Sequence, residues 1–167
     1  MSTLLAESLP TAAQCSEARL RAVPIADWLL EERPQNTPML EIVSAYAERL
    51  RAIGVPVDRC NLNMPQLHAQ LLARSIVWDS AQGGREIERQ HGLERNSDYL
   101  DSPIRVIYEG GGPIRRQLED PDCEMDFPIL ADLKPQGFTD YSVIPLRFST
   151  GKINALVLAA FNVPGHD

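Results

Sequence analysis

The chain has 167 residues, a formal charge of −7 and a pI near 5.0. Hydrophobic residues make up 44% and charged residues 23%, which suits one domain with a real core and excludes disorder along the whole chain. Lysine occurs only at Lys134 and Lys152, and the arginines are scattered apart from Arg115 and Arg116. The basic stripe of a nucleic-acid binder is therefore absent, and no nucleic-acid partner is expected.

The most apolar stretch, 153–163, is far shorter than the roughly 20 residues a membrane-crossing helix needs. The N-terminus carries Glu7 and no basic cluster, unlike a signal peptide. A cytoplasmic location with no membrane partner is the expectation. Cys15, Cys60 and Cys123 are far apart and odd in number, so they read as small buried hydrophobes rather than a disulfide framework.

In chain order, residues 1–19 read as a flexible leader, able to become helical against a partner. A short helix is predicted after Pro24, with Ile25, Trp28 and Leu29 on one face, ending before Pro34. The clearest element is a helix over 38–53. Leu40, Val43, Ala47 and Leu50 recur at helical spacing, Thr37 is the predicted cap, and Gly54 is the predicted stop. Strands are predicted within 55–67, broken near Pro65, and over 71–78, with a turn at 81–84.

Residues 85–101 are polar and irregular, with room for a short strand or helical turn. A strand over 103–108, a glycine turn at 110–112 and a strand at 114–118 pairing back on it are expected next. A polar loop (120–126), a short helix (129–134) and a strand (141–148) follow. The Ser149–Lys152 turn leads into a strand at 153–161 that is apolar on both faces, as a covered central strand should be. The sum is an α+β fold: a mostly antiparallel sheet of five or six strands, helices on one face, and a pocket on the other under the middle loops.

No pattern of catalytic chemistry emerges. His68, His91 and His166 are isolated, there is no HExxH or Cys/His cluster, and no GxSxG elbow. No catalytic residue, metal ligand or cofactor is assigned. A stand-alone enzyme would need Cys60 or Cys123 to meet His68 or His91 beside a cleft. The acidic run from Glu119 to Asp126 lacks calcium-loop spacing, and Gly110–Gly112 beside Arg115 and Arg116 reads as a turn rather than a phosphate cradle. Small-molecule pockets combine aromatic walls with a few directed polar groups. Trp78, Tyr99, Arg105, Arg115, Thr139, Asp140 and Tyr141 are the candidates of that kind.

A run of short segments carries a family likeness: Trp28-Leu29-Leu30; Glu48 through Arg59; Leu67-His68; Val77-Trp78; His91-Gly92; Tyr99; Ser102-Pro103; Arg115-Arg116; Asp126-Phe127-Pro128; Thr139-Asp140-Tyr141; Pro145-Leu146; and Pro164-Gly165. In this order the chain resembles the N-terminal regulatory region of bacterial class III adenylate/guanylate cyclases. The resemblance implies a GAF-like domain over 20–167, with an antiparallel sheet, flanking helices, a ligand pocket and a helical dimer interface. Family members continue past Pro-Gly with a further glycine, an aromatic and a helix, whereas here His166 and Asp167 end the sequence. The last helix and the cyclase catalytic region are thus expected to be absent, and no enzymatic activity is assigned. The implied partners are a small-molecule effector, a second copy, and a C-terminal cyclase domain if the chain belongs to a longer protein. The alternative is a ligand-free structural dimerisation module.

Overall fold

The computed structural model describes residues 12–31, 37–65, 71–90 and 100–161. It separates into two compact units, Met1–Asn36 and Thr37–Asp167. Among the described residues the first holds one helix, α1 (Ala12–Glu31), in which Arg21 and Glu17 pair one turn apart at 2.5 Å. The helix begins well before Pro24, which lies inside it rather than in its first turn. A proline removes one backbone hydrogen bond but does not forbid a helix. Alanines and straight-chain residues on its N-terminal side carry the turns that precede it.

The second unit opens with α2 (Met39–Ala52). Pro38 occupies the cap position without a side-chain bond, so Thr37 does not play the predicted role. At the other end Gly54 takes φ +87°, and Val55 N–H returns to the Leu50 carbonyl at 3.0 Å, ending the helix as expected.

Six strands follow: β1 (Arg59–Pro65), β2 (Leu71–Asp79), β3 (Gly83–Gln90), β4 (Ile114–Gln117), β5 (Asp140–Arg147) and β6 (Ile153–Ala160). They form one sheet in the order β3-β2-β1-β6-β5-β4, every neighbouring pair antiparallel. The apolar strand β6 lies between β1 and β5, as its two-sided hydrophobicity predicted.

Helices lie on both faces, not one. On the first face α2 packs over β1, β2 and β3, burying Val43 and Ala47 against Cys60, Leu62, Ile76 and Trp78. Cys60 and Cys123 are free thiols, and burial pushes the Cys60 thiol from its ordinary 9.0 up to about 12. The second face carries two short helices, α3 (Pro103–Tyr108) and α4 (Pro128–Leu133), the latter running into a 3₁₀ turn at Lys134–Gln136. Ile107, Leu118, Leu130, Leu133, Tyr141 and Val143 form its core.

Three further expectations need correction. Residues 103–108 are helical, not extended. Ser102 accepts a hydrogen bond from Arg105 N–H at 3.3 Å and Pro103 fills the first turn, so a cap outweighed the β-branched character of the run. Residues 83–90 are a full strand, paired along β2. On this edge strand Arg85, Glu86 and Glu88 are exposed, which leaves no apolar alternation to find. Residues 114–117 pair with β5 rather than with the preceding segment.

Candidate functional site

The second face is built by alternation along the strands. On β1, Cys60, Leu62 and Met64 join the α2 core, so Arg59, Asn61 and Asn63 point the other way. Ser75 and Val77 of β2, Val157 and Ala159 of β6, and Tyr141 of β5 share that direction. Pro103, Ile104 and Tyr108 of α3 and Ile129, Asp132 and Leu133 of α4 close over them. Between sheet and helices lies a cavity of about 430 Å³, within the range that holds small molecules. The predicted pocket face therefore exists, and among the described residues two helices roof it.

The floor of this cavity is polar in a particular way. Asn63 is buried, at 7% exposure, and its Oδ1 accepts from the Ser75 hydroxyl at 2.8 Å. Its Nδ2, and the Oδ1 of neighbouring Asn61, are buried without a hydrogen-bond partner. An unmatched buried amide atom costs about 1–3 kcal/mol, so two of them on one strand call for an explanation. Arg59 sits at the end of the row. Its guanidinium lies 4.8 Å from the Phe138 ring centre, which in turn stacks on Phe161 at 4.1 Å, and it pairs with Asp79 at 3.6 Å.

Tyr141, a residue singled out from sequence, lines this cavity, and burial holds its phenol well above the usual value. Trp78 is buried in the α2 core on the opposite face. Arg115 and Asp140 pair with one another, Nη2 to Oδ2 at 2.5 Å, and both share the sheet face of Ser142, opposite Tyr141. The Thr139 hydroxyl donates to the Ala160 carbonyl at 3.2 Å. Arg105 donates to Glu109 at 2.7 Å and to the Leu100 carbonyl at 3.0 Å, and lines a second, more open cleft of about 570 Å³ with Met125 and Phe127. Tyr99 lies outside the described residues, as do His68 and His91.

Sequence inspection missed Asn61, Asn63, Ser75 and Arg59. The signal was there: alternate positions of β1 are polar, as on a solvated strand, yet β1 is a central strand. Polar residues facing inward from a central strand mark a lined cavity, but only pairing on both sides reveals that β1 is central. Among the described residues no group of three or more His, Cys, Asp or Glu side chains could hold a metal ion. No described helix is long and apolar enough to cross a membrane.

The architecture has counterparts among solved structures. The GAF domain of A. Aeolicus nlh2 in an inactive state superposes with a TM-score of 0.55 at 6% identity, covering 87% of this chain and 82% of that one. The fold is GAF-like. The GAF domain of a phosphoenolpyruvate-protein phosphotransferase from Coxiella burnetii gives 0.50 at 14% identity, with 85% and 79% covered. No family model and no curated protein matches the sequence. The likeness is thus to the GAF fold in general and is not tied to cyclases.

Proposed function

We propose that this GAF-like chain is a sensory or regulatory module whose α3/α4-side cavity binds a small effector. The observation that carries the reading is the pair of unmatched amide atoms, Asn61 Oδ1 and Asn63 Nδ2, on strand β1 where it lines that cavity. A ligand that meets them supplies hydrogen bonds that the fold itself does not.

The same atoms suggest how occupancy is relayed. The cavity they border is closed over by α3 and α4, so a bound ligand bears on both helices. α3 packs on β5 and β6 and is followed by the Gly110–Gly112 turn, so a change in its position is transmitted to the sheet. A ligand favouring one position of α3 shifts the population toward it, and whatever reads that position reads the effector. In the cyclase-type arrangement that the sequence resembles, the reader is a nucleotide cyclase module or a dimer partner. Tyr141 is the sequence-selected residue best placed to touch the ligand.

A thermal-shift screen of the full chain against a small-metabolite collection tests this, followed by amide exchange on any hit. The expected result is a compound that raises the melting temperature and slows exchange in β1 and α3. A screen without hits, together with a ligand-free dimer in nondenaturing mass spectrometry, would replace sensing with structural dimerisation.

A further inference from the structure

We infer that the cavity takes an uncharged molecule bearing a hydrogen-bond donor beside an acceptor, of the cyclic amide or ureide kind, and rejects anions. This deepens the effector reading above and rests on it.

Asn61 and Asn63 stand two residues apart on one strand face, so their backbones are separated by about 7 Å. The atoms without partners are of opposite kinds: Asn61 Oδ1 needs a donor and Asn63 Nδ2 needs an acceptor. A molecule that carries an N–H and a C=O on one edge offers a partner of the right kind to each. A carboxylate or phosphate offers acceptors only. It can meet Asn63, but it sets lone pairs against Asn61 Oδ1, and that atom stays unmatched. The orientation of Asn63 is held by the Ser75 hydroxyl on its Oδ1, which leaves Nδ2 as the end facing outward from that bond.

Charge points the same way. Arg59, the cation among the described lining residues, already faces Asp79 at 3.6 Å and stacks on Phe138. The other charged lining groups are the carboxylates of Asp101 and Asp132. An anion entering here gains no free positive charge and meets two negative ones. The remaining wall, including Val77, Ile104 and Val157, is apolar and suits a flat, uncharged ring.

The test is calorimetric titration of the full chain with two probe pairs: hydantoin and 2-pyridone, which are neutral, against benzoate and methyl phosphate, which are not. It is repeated on Asn61→Leu and on the double variant Asn63→Leu/Ser75→Ala, each checked for a cooperative melt. The expected result is binding of the neutral pair alone, weakened about five- to tenfold by each variant as one hydrogen bond is lost. Anion binding in the cavity with the neutral probes silent overturns the ligand class and leaves the effector reading standing. Neutral binding that folded variants retain unchanged also overturns the class. Binding of neither pair, in a chain whose thermal-shift screen is likewise silent, overturns both.

Discussion

The Ser75 hydroxyl donates to Asn63 Oδ1 over 2.8 Å, tying β2 to β1 on the face that lines the cavity. Both side chains are buried, at 2% and 7% exposure, so water cannot replace the bond if either partner is lost. Ser75→Ala alone should therefore destabilise the fold by about 1–3 kcal/mol, because it leaves a second atom of the Asn63 amide unmatched. Asn63→Leu combined with Ser75→Ala should recover most of that loss, since it removes the orphaned Asn63 amide. Urea unfolding of the single and double variants checks the order. A double variant as weak as the single one would refute it.

Cys60 makes stability fall at alkaline pH. Its thiol is fully buried and moves from 9.0 to about 12, so the folded chain keeps a proton that the unfolded chain releases. A raised value contributes stability that is whole below pH 9 and is lost as pH climbs toward 12. Tyr141, raised by burial as well, adds to the loss at the upper end. Unfolding free energy measured from pH 8 to pH 11 should decline, and the decline should be shallower in Cys60→Ala. An unchanged slope would show that the thiol is not the source.

The two described thiols should also differ in reactivity. The thiolate is the nucleophile, and burial disfavours it at Cys60, whereas Cys123 is half-buried on a loop. In a Cys15→Ser background, a disulfide reagent at pH 8 should label Cys123 in the folded chain and Cys60 only after denaturant is added. Labelled-peptide mass spectrometry distinguishes the two.

Gly111 should be intolerant of a side chain. A Cβ there would lie 2.6 Å from the backbone oxygen of Val106, which already accepts the Gly111 N–H at 2.8 Å. Arg147 clamps the same turn by donating to the Gly110 and Gly111 carbonyls at 3.1 and 2.8 Å. Gly111→Ala should push α3 outward and cost about 1–3 kcal/mol. Gly112→Ala, where a Cβ meets open space, is the matched control. Equal melting temperatures for the two variants would count against the packing.

Residues Tyr141 and Arg115 offer a contrast for the site itself. Tyr141→Ala should weaken binding of any cavity ligand found. Arg115→Ala, on the other face and paired with Asp140 at an exposed edge, should change stability by less than about 1 kcal/mol and leave binding intact. Titration of both variants with the same ligand decides it.

Much of the fold was legible locally. The α2 stripe ending at Gly54, the turn just before Gly83 and the two-sided apolar run of β6 each announce themselves within a few residues. Backbone geometry and solvent exposure act at that range. The failures have one pattern. Residues 103–108 were read as a strand because a short apolar run fits helix and strand alike until Ser102 is recognised as a cap. Residues 83–90 hid because the face turned to α2 begins with a glycine, Gly84, and the exposed side chains around it are Arg and Glu.

Composition and periodicity were sufficient to point to an α+β chain with a sheet of five or six strands, an amphipathic helix ahead of it and no basic stripe or metal-ligand motif. They could not say which face each polar residue meets. Asn61 and Asn63 became a cavity floor because β1 pairs with β2 on one side and with β6, some ninety residues away, on the other. Trp78 went into the α2 core for the same cause. Strand alternation separates two faces from local sequence alone, but which face is roofed by helices depends on contacts between distant segments, and no short window of residues contains them.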